Sequence, residues 1–213
     1  MEFPLEHQHV GPTAGTAPAP AVVFVHGRGA DEEDLLGLGH RLPDDLHLLS
    51  VRAPDSLGPG YTWYEVVEGE GGTQPDPGDF RRSREALDEF VDAAVEAYDV
   101  DPDRVGLFGF SQGAILGLAS LLDSPERYAW CAALHGYLPA SHADVDGFAG
   151  VDGAPVFVGA GERDQVIPAE RGRAAAERLR EGGLDVTFET YRTGHGIGPD
   201  ELEDVTGWVA DVY

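Results

Sequence analysis

Seven short runs of strand-like residues, most of them separated by segments of helical periodicity, constrain this chain more than any other feature. They fall at 4–10, 21–25, 47–52, 104–110, 129–134, 155–160 and 185–191, and several, such as "AVVFV", "RVGLFGF" and "APVFVGA", are almost continuously apolar. A strand with one wet face alternates apolar and polar residues, so an unbroken run belongs to a strand covered on both faces. Over 80–98, Leu87, Phe90, Val91, Ala94, Val95 and Tyr98 share one helical stripe, as do Leu202, Val205, Val209 and Val212 near the end. Residues 112–122 are apolar nearly all round and predict a helix buried against the sheet. Further helices are expected at 31–42, opened by "DEED", and at 168–181, closed by Gly182-Gly183. The alternation predicts an α/β fold with a mostly parallel, doubly wound sheet of about seven strands. The Pro/Ala-rich link at 11–20 reads as the turn of an antiparallel edge hairpin. With 213 residues and 42% hydrophobic content, one sizeable core and one domain over 1–213 are expected.

In such sheets ligands gather at the carboxyl ends of strands. There, "GLFGFSQGAIL" sets Ser111 between Gly109 and Gly113, after the strand at 104–110 and before the buried helix. A Gly-Ser turn explains the pentapeptide alone, but strand-turn-helix is the context of a nucleophile elbow, where a helix N-terminus meets a developing oxyanion. A serine hydroxyl needs a base, and the base needs an orienting acid. "GERDQVIP" offers Asp164 after the strand at 155–160, with Glu162 as a rival acid, and "TGHGI" offers His195 after the strand at 185–191. His7, His9, His40, His47, His135 and His142 lack both the chain order and the flanking glycines, and His26 belongs to another motif. That motif, "HGRG", follows the strand at 21–25, and the backbone N–H groups of Arg28 and Gln112 would converge on a substrate carbonyl oxygen. A phosphate-binding turn or a metal corner is the alternative for it, although it has neither the G-x-G-x-x-G order nor the lysine of a P-loop.

The stretch 54–79 is long for an idle loop and is expected to overhang the site, with Leu57, Tyr61, Trp63 and Tyr64 walling a modest pocket ahead of the acidic run at 65–79. Cys131, the sole cysteine, sits in "YAWCAAL" and reads as a small apolar strand residue. His7 and His9 alternate onto one strand face, with no third residue spaced to complete a metal site.

Charge narrows the partners. All 14 basic residues are Arg, against 39 acidic ones, for a net charge of -25. Such a chain repels nucleic acid and anionic membrane surfaces, and its acid is spread along the sequence, as expected of a surface adapted to molar salt. The start, "MEFPLEHQHV", shows no secretory signal pattern, and no run reaches the length of a membrane span, so a cytoplasmic location is expected.

Five motifs in order, "HGRGADEEDLLGL", "RAP" with "YTWYE", "GLFGFSQGAI", "GERDQVIP" and "TGHGI", resemble the phospholipase/carboxylesterase family of α/β-hydrolases, which includes acyl-protein thioesterases and merges into dienelactone-hydrolase-like esterases. The resemblance implies an α/β-hydrolase fold with a catalytic triad of Ser111, Asp164 and His195, an oxyanion hole from Arg28 and Gln112, and Trp63 as an aromatic wall. Dienelactone hydrolases proper carry cysteine where this chain has Ser111. It implies a serine esterase acting on small-molecule carboxylic esters, thioesters being a second substrate class, through an acyl-enzyme and with no metal or organic cofactor. The compact insertion favours short to medium acyl chains. A peptidase or acyltransferase using the same residues, or a non-catalytic binding protein on the same fold, is the alternative, and monomer or homodimer is left open.

Overall fold

A computed structural model describes residues 3–69, 72–144 and 148–213. The strands are β1 (His7–Val10), β2 (Ala19–Val25), β3 (His47–Val51), two short hairpins β4–β5 (Asp55–Leu57, Gly60–Thr62) and β6–β7 (Val66–Gly69, Gly72–Pro75), then β8 (Val100–Phe110), β9 (Trp130–Leu134), β10 (Pro155–Gly161) and β11 (Asp185–Tyr191). The helices are α1 (Pro77–Tyr98), α2 (Gln112–Asp123), α3 (Ala169–Glu181) and α4 (Pro199–Val212). One seven-stranded sheet runs β1-β3-β2-β8-β9-β10-β11, parallel throughout except where β1 pairs antiparallel with β3.

Two apolar layers follow from the period of the strands. Val23, Val25, Leu107 and Val158 pack on one face with Phe90 of α1, Leu118 of α2 and Leu179 of α3. Val22, Phe24, Phe108 and Phe157 pack on the other with Leu35, Leu42 and Val205 and Val209 of α4. Both faces are covered, which is why the strands read as continuous apolar runs. Asp76 caps α1 by accepting from the N–H groups of Gly78 and Asp79, and Pro77 occupies the first helical turn.

Two expectations need correction. The stretch 31–42 forms only a 3₁₀ helix at Leu36–Arg41, because Gly37 and Gly39 each disfavour an α-helix by about 1 kcal/mol relative to Ala. Leu35 and Leu42 still anchor this segment to the core. The edge is antiparallel, as read, but β1 and β2 are not a hairpin: β3 lies between them, with His7 opposite Val51 and Val10 opposite Leu48. The link from 11 to 18 therefore crosses the end of β3 to reach the sheet interior.

The chain moves from β2 outward to β3 and then returns to add β8 on the other side of β2. This reversal opens a crevice at the carboxyl ends of β2 and β8, where the two glycine motifs lie.

Candidate active site

Each residue singled out for chemistry stands just beyond the carboxyl end of a strand. Gly27 and Arg28 follow β2, Ser111 follows β8, Asp164 follows β10 and His195 follows β11. Ser111 is the N-cap residue of α2 and has φ 54° and ψ -113°, a conformation that non-glycine residues seldom adopt. The turn is tight enough that a Cβ on Gly113 would lie 1.9 Å from the carbonyl oxygen of Val25, so only glycine lets β2 and α2 approach this closely.

Ser111 Oγ lies 2.9 Å from Nε2 of His195, and Nδ1 of His195 lies 2.7 Å from Oδ2 of Asp164. An ionised Asp164 can only accept, so Nδ1 carries the hydrogen and Nε2 is free to receive the serine proton. Burial alone would raise the Asp164 pKa. Hydrogen bonds from His135 and His195, with the N–H groups of Ile167 and Val166 on Oδ1, outweigh burial and hold the carboxyl below its usual range. Ser111 and Asp164 are buried, whereas the His195 side chain keeps 20% of its surface exposed. Such a line of groups can deprotonate a hydroxyl and return the proton to a leaving group.

Above Ser111 opens a cavity of about 620 Å³, bounded by Arg28, Tyr64, Phe110, Ile115, Tyr137 and Ile167, among others. Its walls are largely aromatic and aliphatic. Among the described residues, the N–H groups of Arg28 and Gln112 have no protein acceptor, and both residues border the cavity. His26 braces the Arg28 turn: Nδ1–H donates to Gly27 O at 2.7 Å, and Nε2 accepts the N–H of Ala53 at 3.0 Å. Burial lowers its pKa, and the second bond requires the neutral ring. The Gln112 side chain is similarly tied, accepting from Thr62 Oγ1 and Trp63 N–H and donating to Tyr64 O. The Arg28 guanidinium reaches Glu65 at 3.6 Å on the rim.

The wall assigned to the insertion is only partly realised, and residues 70–71 within it and within the acidic run lie outside the described residues. Tyr64 lines the cavity, joined by Val66 and Thr73. Trp63, Tyr61 and Leu57 do not. Trp63 is fully buried behind the site and donates Nε1–H to His26 O at 2.9 Å; Tyr61 lies under the Arg52 guanidinium, 4.7 Å from it; and Leu57 sits in the outer hairpin opposite Gly60. Glu162 is exposed and Asp164 takes the histidine bond. Cys131 is enclosed in β9, and burial pushes its thiol pKa far up.

Chain order and flanking glycines do not single out His135, yet its Nδ1 lies 2.9 Å from the same Asp164 oxygen. The signal available for it was position, since "LHGYLP" follows the continuous run of β9 as directly as Ser111 follows β8. His7 and His9 do not share a metal: His7 meets Tyr98 OH at 2.7 Å and His9 meets His47 at 3.0 Å. Among the described residues, His135, Asp164 and His195 alone bring three potential ligands together, and hydrogen bonds among the three account for that cluster.

A family model described as phospholipase/carboxylesterase matches residues 8–212. An acyl-protein thioesterase 1 of Candida albicans is 26% identical over 94% of this chain and 95% of its own length. Among solved structures, the esterase PE8 superposes with a TM-score of 0.88 at 26% identity, covering 98% of this chain and 99% of its own. A carboxylesterase of Bacillus cereus superposes at 0.87 with 22% identity, over 98% and 95% of the two chains, which is a likeness of fold. No helix among the described residues is long and apolar enough to cross a membrane.

Proposed function

The chain belongs to the phospholipase/carboxylesterase family, a family of carboxylic ester hydrolases, and from that premise we propose that Ser111, His195 and Asp164 cleave small-molecule esters through an acyl-enzyme. The observation that carries the reading is the unbroken hydrogen-bonded line from Ser111 Oγ through His195 to Asp164 Oδ2, at 2.9 and 2.7 Å. Ser111 Oγ attacks the ester carbonyl carbon while Nε2 of His195 takes the hydroxyl proton. The tetrahedral oxyanion is received by the N–H groups of Arg28 and Gln112, and the imidazolium protonates the leaving alkoxide as the C–O bond breaks. Water repeats the sequence on the acyl-serine and releases the acid. Asp164 keeps the ring in its working tautomer and stabilises the imidazolium.

The preference is for short to medium acyl groups. Ile115, Tyr137, Val166 and Ile167 offer an apolar but compact wall, and among the described residues of the insertion Tyr64, Val66 and Thr73 join it. Thioesters of the same size present the same carbonyl geometry and form a second substrate class. The acid-rich, lysine-free composition supports a salt-rich cytoplasm as its setting.

Fluorophosphonate labelling, followed by an ester and thioester panel from acetyl to long-chain acyl groups in 2 M KCl, tests the reading. Label on Ser111 is expected, and Ser111→Ala should abolish labelling and lower turnover by about 10⁴ to 10⁶ with the fold retained. Activity of the variant above a tenth of the parent value would remove Ser111 from the mechanism and return the chain to the alternative of a binding protein.

A further inference from the structure

Asp164 is shared. Its Oδ2 accepts one imidazole N–H from His195 and a second from Nδ1 of His135 at 2.9 Å. Nε2 of His135 in turn lies 3.1 Å from Oε2 of Glu201 in the first turn of α4. The His135 and Glu201 side chains have no exposed surface. Five side chains thus form one continuous line from the cavity floor to the base of α4.

The backbone is shaped to admit the inner half of this line. His135 has φ 53°, a left-handed conformation that costs a non-glycine residue about 1–3 kcal/mol unless its surroundings impose it. Its N–H is fixed to the Gly159 carbonyl oxygen at 2.8 Å. Gly159 also leaves the space Glu201 occupies: a Cβ there would lie 2.4 Å from Glu201 Oε1.

The hydrogens on the two rings give the arrangement a direction. Asp164 is ionised, so Nδ1 of His135 must carry a hydrogen to make its 2.9 Å contact. The Nε2–Oε2 contact needs one proton, on either atom. On both assignments Nδ1 keeps its hydrogen; without Glu201 the buried Nε2 loses its partner and the ring loses the anchor that aims Nδ1–H at Asp164.

We infer that His135 and Glu201 are positioning residues for the hydrolytic reaction, Glu201 anchoring the His135 ring and His135 orienting Asp164 toward His195. The inference rests on the hydrolase reading given above. Asp164, Glu201 and, with ring centroids 5.6 Å apart, His195 are the titratable groups facing His135; Tyr191 faces Glu201, and the neighbouring Phe110 carries no charge. Burial works against protonation of His135, but Glu201 and Asp164 outweigh it and raise its pKa. A second N–H on Oδ2 spreads the charge of the carboxylate. Losing it concentrates that charge on His195 and favours the imidazolium, which moves the acid limb of activity to higher pH.

The test compares Glu201→Leu with Glu201→Gln, whose amide N–H can donate to Nε2 and hold the ring in place. Glu201→Leu is expected to lower kcat about tenfold to a hundredfold, the loss of one charge-assisted hydrogen bond, with KM within threefold. The acid limb of its kcat/KM profile should rise by about half to one pH unit. Glu201→Gln should stay within about threefold of the parent in kcat with the limb unmoved. A purely structural role would lower the melting midpoint of Glu201→Leu and leave kcat and the limb of the folded fraction unchanged, which would overturn the inference. A Glu201→Gln variant as impaired as Glu201→Leu would overturn it too. Histidine-ring ¹⁵N NMR of the unmodified protein decides independently of any variant: a protonated Nδ1 on His135 at pH 7 is expected, and a bare one refutes the inference. If the unmodified protein takes no fluorophosphonate label, it is the hydrolase reading itself that fails.

Discussion

Gly60 is far from Ser111 in sequence, yet its packing against the Arg28 turn makes it a sensitive position under the proposed mechanism. The β4–β5 hairpin grips the turn after β2 through two backbone bonds, Gly29 N–H to Tyr61 O at 2.7 Å and Tyr61 N–H to Ala30 O at 2.9 Å. A Cβ on Gly60 would stand 1.9 Å from the Gly29 carbonyl oxygen. Ordinary carbon–oxygen contact needs about 3.3 Å, so Gly60→Ala must open the junction by about 1.4 Å. Arg28, the proposed oxyanion donor, directly precedes the displaced Gly29 in the chain. An oxyanion donor works only within about 2.7–3.1 Å of its target, and losing one costs about 10² to 10³ in kcat. Gly60→Ala should therefore lose activity on this scale against a p-nitrophenyl butyrate substrate, with KM within about threefold and the melting midpoint of the core only modestly lowered. Gly58→Ala is the control. Gly58 has φ 59° with open space around its would-be Cβ, so alanine there costs about 1–2 kcal/mol of local strain and should leave kcat intact. Full turnover in Gly60→Ala would show that the hairpin does not hold the donor turn.

Trp63→Phe removes the indole N–H from His26 O and leaves a buried carbonyl unpaired; a stability loss of about 1–3 kcal/mol is expected in chemical denaturation, with the acyl-length preference unchanged across an ester panel. The neutral, buried His26 makes stability depend on pH. Its folded pKa lies below the ordinary 6.5, so the unfolded chain takes up a proton first and stability falls as pH drops below about 6.5 until the folded ring also titrates. His26→Asn should flatten the slope between pH 6.5 and 5 by up to about 1.4 kcal/mol per pH unit, and an identical slope in both proteins would contradict this. With a net charge of -25, midpoint and activity should rise together between 0.1 and 2 M KCl, as the Debye length falls from about 10 Å to below about 3 Å; a flat or falling midpoint would show that the acidity serves another purpose.

The central strands were legible because burial on both faces writes itself into the chain as unbroken apolar runs, and β2, β8 and β10 carry such runs. The identity of neighbours was less so. Nothing local distinguishes β1 pairing with β2 from β1 pairing with β3, since either partner satisfies an edge strand. The stretch 31–42 shows a helical pattern of leucines, and the two glycines that defeat it act through backbone entropy, which periodicity does not register. At the site, Ser111, Asp164 and His195 could be chosen by order and strand-end position. His135 could not be chosen by order: its partners lie 29 and 66 residues away, and a left-handed histidine carries no composition signal. Trp63 illustrates the converse, an aromatic residue next to the site whose ring points into the protein.

Ser111 and His195 sit at very different depths of the sheet. β8, which delivers the serine, has strands on both sides, whereas β11, which leads to the histidine, ends the sheet among the described residues and pairs there with β10 alone. Residues 186–188 of β11 are half-buried, unlike the sealed interior of β8. Fraying begins where a strand has one neighbour, and this edge carries His195, the proposed proton acceptor. Warming the enzyme should first detach its base, leaving a well-folded centre with an inert hydroxyl, and reassembly of one edge would restore it. Inactivation and unfolding are thus expected as two separate events in this architecture, the first at the rim and reversible, the second at the middle.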